Sequence, residues 1–365
     1  MSKTYLLTGG TGFLGSILGV NLIKKGDRII FLGRSKNGES LDKRLKKTLL
    51  LNKIESFEID LNKRFLGLSE DILKQLSGRV DGLWHLAANL SFRKKDKEKV
   101  IATNVDGLKN VLELALYLKA PVYYTSTAYV HGQRSGVIYE KDLVKPKRFN
   151  NTYEESKFRA EKLIGKWGEK YGNNFIIFRP SILIERNRKI LSFFGYYTVV
   201  NSLYKLKKAM KKEPLRLFLP FFYSKDAFLN LMPVDIATDW MMKIVESKQA
   251  LGKTFHIANP KPFPMEEITK QTFEALNIKM PSMKMPKWFV SFYFSFLYYS
   301  SFIIFPLKRL ARKFYYYRYY MIEYNSYDMT NTKRFLGKNI LNQFNFKKDF
   351  IQKIAKDFVR KLEQQ

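Results

Sequence analysis

The chain contains no cysteine. That absence excludes disulfides, zinc–thiolate sites and a catalytic thiol able to hold an acyl group as a covalent thioester. Histidine is nearly as scarce: His85, His131 and His256 stand singly, without metal-ligand spacing, so no metal centre is expected and all three read as structural or supporting residues. Acidic side chains are also few, 33 against 65 Lys and Arg in 365 residues, for a formal net charge of +32. Such an excess attracts polyanions, here phosphorylated cofactors, acidic carrier proteins or anionic lipid, while no nucleic-acid module is recognisable. The competing reading is a lysine-rich habit spread over solvated faces. The N-terminus lacks the apolar stretch of a signal peptide, so the expected location is the cytosol, or peripherally the cytosolic face of a membrane.

What is present is organised around its beginning, Tyr5-Leu-Leu-Thr-Gly-Gly-Thr-Gly-Phe-Leu-Gly15, which reads as strand, phosphate loop and helix. Gly9, Gly12 and Gly15 stand three apart: the first makes a tight turn, the second lets backbone N–H groups approach a pyrophosphate, and the third permits close helix packing. With Thr11, Phe13 and Leu14 they form the predicted cofactor loop. Leu14, Leu18 and Leu22 line one helical face, whose N-terminus turns its partial positive charge toward phosphate.

Arg28 to Gly33 predicts a second strand, and the residues at its end select the cofactor. NAD-preferring proteins commonly place an acidic residue at this strand end for the ribose 2′-hydroxyl, whereas Gly33-Arg34-Ser35 offers a guanidinium suited to a 2′-phosphate. NADPH is therefore expected over NADH. Arg44, on the next predicted helix, reads equally as a second cation for that phosphate or as a solvated charge. The run Asp81 to Ala88 ends in Ala87 and Ala88, small enough for a cofactor to lie against the strand's carboxyl end. Predicted strands at 56–60, 81–88, 122–126, 175–183 and 254–259 alternate with helices at 70–76, 98–118 and from 233, which argues for a parallel, doubly wound α/β sheet.

Thr127 and Tyr153-Glu-Glu-Ser-Lys157 carry the candidate chemistry. Tyr and Lys four apart on a helix share a face, so the ammonium is expected beside the phenol, lowering its pKa from about 10 by about two units. Tyr153 would then exchange a proton with a substrate oxygen, while Thr127, at a predicted strand end, hydrogen-bonds the carbonyl.

These residues resemble the extended short-chain dehydrogenase/reductase superfamily, in which Thr-Gly-Gly-Thr-Gly-Phe-Leu-Gly, Leu-Ala-Ala, Ser-Thr-Ala and Tyr-x-x-x-Lys occur in this order. The resemblance implies a Rossmann-type fold with an active triad of Thr127, Tyr153 and Lys157, with Lys157 also holding the nicotinamide ribose. It implies a stabilising role for Asn104, in Thr-Asn-Val-Asp-Gly107, and cofactor contacts at Asp60, Leu61, Pro180 and Ser181. Within the superfamily the chain is most similar to the fatty acyl-CoA reductase and carrier-protein thioester reductase branch. The pointers are Gly33-Arg-Ser35, Asp60-Leu61, Gly67-Leu-Ser69, Ala88-Asn-Leu-Ser-Phe92, Ser126-Thr-Ala-Tyr-Val-His-Gly132 and Leu229-Asn-Leu-Met-Pro-Val-Asp235. That branch implies NADPH-dependent reduction of a long-chain acyl thioester, presented on coenzyme A or an acyl carrier protein, to an aldehyde or alcohol. A hydroxysteroid or other lipid-alcohol dehydrogenase, a nucleotide-sugar epimerase and a cofactor-binding scaffold without turnover are the alternatives.

Residues 1–184 are expected to form the dinucleotide-binding domain, 185–231 a substrate-binding insertion, 232–260 a return to the first domain, 261–280 a substrate-domain helix, and 281–365 an aromatic and basic helical region. In the insertion, Phe193, Phe194, Tyr196, Tyr197, Phe218, Phe221, Phe222 and Tyr223 suit an acyl tail and equally an ordinary small core. Trp288 to Phe305 holds ten aromatic residues in eighteen and no charge, and as one helix it would reach about 27 Å, short of the ~30 Å hydrocarbon layer. With Lys284 and Lys287 before it, Lys308, Arg309, Arg312 and Lys313 after it, and no acidic residue between Pro281 and Ile322, it reads as a shallow membrane contact or as a lid over the substrate channel. A last amphipathic helix is predicted over 346–362.

Overall fold

The computed structural model describes residues 2–186, 193–211, 214–216, 220–300, 305–322 and 324–364. Its first half alternates strand and helix: β1 (Thr4–Thr8), α1 (Phe13–Lys24), β2 (Arg28–Gly33), α2 (Leu41–Leu49), β3 (Glu55–Glu58), α3 (Glu70–Leu76) and β4 (Gly82–His85). There follow α4 (Lys97–Ile101), α5 (Gly107–Leu118), β5 (Val122–Thr125), the short β6 (Gly136–Ile138), α6 (Thr152–Tyr171), β7 (Phe175–Pro180) and β8 (Ile182–Ile184).

Seven parallel strands form the main sheet, in the order Lys253–Ile257, β7, β5, β4, β1, β2, β3. Consecutive strands run outward from β1 in one direction and from β4 in the other, so the chain reverses between these two neighbours and leaves a crevice at their carboxyl ends. A parallel sheet is covered on both faces, and the period-two alternation is visible inside β1: Leu6 enters the core under α3, α5 and α6, while Tyr5 and Leu7 enter the one under α1, α2 and the Val234–Ile244 helix. The predicted strand over 175–183 breaks in two. Ser181 N–H still bonds Ile257 C=O, but Ile182 N–H turns to Asn230 C=O, and β8 leaves the sheet to pair with Leu231–Pro233.

That departure opens a second core, whose members come from 184–231, 263–294, 314–322 and 351–358. Three long helices meet there: α7 (Tyr196–Met210), Met265–Leu276 and Phe350–Glu363. The last begins four residues later than predicted, because Phe346 is spent stacking on Phe350 and Phe263 rather than in a helical turn. The aromatic run expected as one helix to Phe305 is helical over Lys287–Ser300, Phe305–Tyr317 is helical as well, and 301–304 lie outside the described residues. The predicted Phe218 and Phe302, and the side chains of Phe305, Lys308 and Arg309, lie outside the described residues. No described helix is long and apolar enough to cross a membrane.

Candidate active site

The crevice between β1 and β4 is lined by the glycine loop. Gly9 has φ +80°, in the left-handed region, and its carbonyl accepts from Gly12 N–H at 2.9 Å. A Cβ on Gly15 would stand 2.3 Å from that carbonyl oxygen, and one on Gly9 would stand 2.7 Å from the Ala87 nitrogen, so the loop is pressed against both its own helix and the end of β4. Gly12 caps α1 without a side-chain acceptor, and the first turn, which includes Phe13 and Leu14, holds no acidic residue. Its first-turn N–H groups therefore have neither an intrahelical nor a side-chain partner, the condition for receiving a phosphate. The residues present fit a dinucleotide.

Thr8 ties the two sides of the crevice. Its hydroxyl lies 2.8 Å from His85 Nδ1 and accepts from Ala87 N–H at 3.3 Å. Burial drives His85 down to about 3, with Lys157 contributing, so this ring is neutral. At the outer end, Arg44 donates to Arg34 C=O at 2.6 Å and to Thr11 Oγ1 at 3.1 Å. The structure thus brings Arg44 onto the phosphate loop, while the Arg34 side chain stands exposed at the end of β2. Beside them is a carboxylate that sequence reasoning missed: Glu58, at the end of β3, accepts from the Ser35 hydroxyl and from Leu41 N–H, and these bonds hold it below the usual carboxylate range. Asp60 and Leu61 follow it; Asp60 caps its own turn through Asn62, and Leu61 C=O accepts from Asn110 at 2.7 Å.

The predicted helix over 98–118 contains a π-turn, Ala102–Asp106, between α4 and α5. Wide turns of this kind re-aim a side chain, and the one inside it is Asn104, 1% exposed. Asn104 accepts from Asn89 N–H at 2.7 Å and donates to Asn89 C=O at 3.0 Å and to Ser156 Oγ at 2.8 Å. Ser156 donates to Tyr153 C=O at 2.7 Å, so a single buried amide joins the loop after β4 to the first turn of α6.

On α6, Asn151 is the N-cap, accepting from Glu154 N–H, and Tyr153 and Lys157 follow one turn apart. Lys157 Nζ is buried, donating to Thr125 C=O at 2.7 Å and to Tyr124 OH at 3.2 Å, and it lies 5.9 Å from the centre of the Tyr153 ring. Thr127 stands two residues past the carbonyl that Lys157 grips; its Oγ1 accepts from Tyr129 N–H at 3.3 Å. The expected acidification of the phenol is corrected here. Packing around Tyr153 pushes its pKa above the ordinary value, with the charge of Glu154 adding to this, and burial pulls Lys157 down to about 7 against the opposing effect of Glu161. Helical spacing set the face correctly, but the ammonium turns toward the β5 carbonyl rather than the phenol oxygen.

Behind Lys157 lies a second group that sequence reasoning missed. Glu161 pairs with Arg179 at 2.6 Å, both fully buried, and accepts from Ser126 Oγ, fixing α6 against the ends of β5 and β7. Glu161 is four residues past Lys157 on the same face, and that was its only signal. Pro180 ends β7 beside it, and Ser181 donates to Asn230 Oδ1 at 2.7 Å at the junction of the two cores. From the far end of the chain, Tyr320 reaches back to donate to Glu154, accepts from Asn151 Nδ2 at 3.1 Å, and crosses Tyr129 edge-on at 4.9 Å. Phe92 lies between Tyr320 and Tyr153, 6.3 and 6.1 Å from their ring centres. Beyond Tyr320 an apolar cavity enters the second core, lined by Ile182, Tyr196, Val199, Phe221, Leu229 and Phe273 among others.

A parallel sheet with a glycine cradle at its reversal point defines a Rossmann-type dinucleotide-binding protein. The chain belongs to the Male sterility protein family of NAD-binding domains, which matches residues 7–241, within the extended short-chain dehydrogenase/reductase superfamily of NAD(P)-dependent oxidoreductases. Its fold is similar to that of the terminal R domain from the myxalamid PKS-NRPS biosynthetic pathway: TM-score 0.78, 23% identity, 98% of this chain and 91% of that one. It is also similar to the reductase (R) domain of a nonribosomal peptide synthetase from Mycobacterium tuberculosis, with TM-score 0.72, 20% identity, and coverage of 100% and 92%. Among curated relatives, UDP-glucuronic acid decarboxylase 4 of Arabidopsis thaliana is 25% identical over 283 residues, 74% of this chain but only 57% of that protein.

Proposed function

We propose that this chain is an NADPH-dependent reductase of a long-chain acyl thioester, carried on coenzyme A or an acyl carrier protein, with an aldehyde or alcohol as product. The observation that carries the reading is the apolar cavity whose lining includes Tyr317 and Tyr320, both in ring contact with Phe92, which in turn meets Tyr153; its apolar walls suit a hydrocarbon tail and offer little to a sugar nucleotide. When bound in the cradle, the nicotinamide supplies the hydride. Gly9, Thr11, Gly12, Phe13, Leu14 and Gly15 hold the pyrophosphate, with Ala87 and Ala88 beneath the cofactor, Asp60, Leu61, Pro180 and Ser181 along it, and Arg34 and Arg44 at the 2′-phosphate. Thr127 and Tyr153 hydrogen-bond the substrate carbonyl oxygen and stabilise the negative charge that develops there. A phenol whose pKa is raised is fully protonated at neutral pH, which suits a group whose task in the reductive direction is to give its proton away. Asn104, through Ser156, holds the turn that carries that phenol, and Lys157, fixed by Thr125 C=O, serves the nicotinamide ribose. Collapse of the hemithioacetal then releases a thiol and an aldehyde. The test is NADPH oxidation against acyl-CoA esters of graded length, sterols and nucleotide sugars, with products identified. Thiol release equal to the first NADPH consumed supports the reading, and turnover of sterols or sugar nucleotides without thiol release overturns it.

A further inference from the structure

The helix Lys287–Ser300 has an inward and an outward apolar face, with only the small, half-buried Ser291 and Ser295 beside the outward one, the latter donating back to Ser291 C=O. Inward, Val290 and Phe294 are buried: Phe294 meets Phe221 and Phe314 at 5.7 and 5.4 Å, and Tyr293 crosses Phe222 at 4.6 Å while donating to Pro220 C=O at 2.7 Å. This face is packed as tightly as any interior. Outward, Trp288, Phe292, Phe296 and Tyr299 are 71, 62, 57 and 64% exposed. Their spacing of four, four and three residues places all four rings within one narrow stripe about 16 Å long. Phe292 and Phe296 stack along it at 6.2 Å, and Met283, 52% exposed, precedes its N-terminal end. Surface aromatics scattered singly are ordinary; four large rings in register on one ridge are a contact surface.

We propose that this ridge docks on an anionic membrane surface, with its rings in the headgroup layer and the helix lying along the bilayer rather than through it. The charge around it selects this occupant. Lys287 and Arg312 are exposed at the start of the helix and on its neighbour, no acidic residue occurs from Pro281 to Ile322, and Glu266, which meets this segment, is paired with Lys284. Trp, Tyr and Phe prefer the interfacial zone to the hydrocarbon centre, and a stripe exposed along one side of a helix whose other side is buried in the second core can meet a bilayer only edgewise. The four exposed rings offer hydrogen bonds only from the Trp and Tyr tips, which suits the headgroup layer. The inference is independent of which carbonyl compound is reduced, because it concerns residues with no place in the site.

The test is co-sedimentation of the full chain with vesicles of phosphatidylcholine alone or with phosphatidylserine, at physiological salt. Binding to the anionic vesicles is expected, with a blue shift in tryptophan emission, since Trp84 and Trp240 are fully buried and Trp288 is the most exposed of the four. Combined Trp288→Ser, Phe292→Ser, Phe296→Ser and Tyr299→Ser substitution should weaken partition at least about a hundredfold. Lys287→Gln with Arg312→Gln should weaken it about thirtyfold on anionic vesicles and leave phosphatidylcholine unaffected. Both variants act on exposed positions, and an unchanged thermal melt verifies folding. The proposal is overturned if the wild type stays in solution with anionic vesicles, if its emission does not move, or if the aromatic variant pellets like the wild type. It is equally overturned if the wild type is a dimer that the aromatic variant converts to monomer, since the ridge would then belong to a second copy.

Discussion

Replacing Asn104 by alanine separates positioning from cofactor binding. The amide makes three bonds, two to the backbone of Asn89 and one to Ser156, and is itself buried. Removing it leaves the Asn89 N–H and C=O without their partner, each half-buried, at about 1 kcal/mol apiece, and opens a void worth about 1 kcal/mol more. A loss of about 3 kcal/mol in unfolding free energy is therefore expected. Ser156 still bonds Tyr153 C=O, so α6 persists, but its first turn is no longer tied to the loop after β4. A drift of about 1 Å between the phenol and a bound carbonyl lowers turnover about a hundredfold. The glycine loop touches none of these groups, so cofactor affinity should stay within about twofold. Urea unfolding, single-turnover kinetics and a cofactor titration measure the three quantities. An N104A protein as stable as the wild type, or one that loses cofactor binding in step with turnover, would refute the reasoning.

Gly15→Ala should abolish cofactor binding, because its methyl would overlap the Gly9 carbonyl at 2.3 Å; a Kd unchanged by titration would count against the cradle. Arg44→Ala should raise the KM for NADPH about tenfold while sparing NADH, since a lost contact to a charged phosphate costs about 1.5 kcal/mol, and equal effects on both would remove Arg44 from the 2′-phosphate. Burial raises Glu154 to about 7 despite donors from Tyr320, Asn150 and Asn151. The folded state therefore binds the extra proton between about pH 4.5 and 7, and the stability this contributes is present below that window and lost as pH rises through it. Relative to the wild type, E154Q should thus gain about 3 kcal/mol between pH 4.5 and 7.5, and a difference independent of pH would show that the carboxyl titrates normally.

The parts of this molecule that were legible in the sequence are those whose cause is local. The glycine loop, β1, β2, α3 and the Met265–Leu276 helix arise from turn chemistry and from hydrophobic periods within a dozen residues, and each occurs where those patterns place it. The interior of the predicted 98–118 helix was not legible, because one widened turn shifts the hydrophobic phase by about a single residue, which an i, i+3, i+4 pattern absorbs; only the partners of Asn104, 15 and 52 residues away, reveal it. The break at Ser181 was hidden for a related reason. Phe175 to Ile184 is apolar almost throughout, and nothing in that run says where the chain stops serving one core and starts serving another; Asn230 and Asn259 decide it.

The phenol and its lysine mark the limit of spacing as an argument. A separation of four residues puts two side chains on one face, yet it says nothing of what else that face meets, and here Thr125 C=O and Tyr124 OH take the ammonium. Charge and proton affinity are properties of the surroundings, set first by burial of both groups and then by Glu161 behind the lysine and Glu154 beside the phenol. Tyr320 is 166 residues from the carboxylate it bonds. It belongs to the same C-terminal segment, between 287 and 322, that covers the second core and presents the aromatic ridge. One stretch of chain, ambiguous in sequence between lid and membrane contact, buries Val290 and Phe294 in the second core, lends Tyr317, Tyr320 and Met321 to the cavity wall, and leaves four rings of its first helix exposed. The two readings therefore fall on different parts of it, because the cavity takes its wall from Tyr317, Tyr320 and Met321 whereas the exposed rings stand on the Lys287–Ser300 helix, which does not reach that cavity.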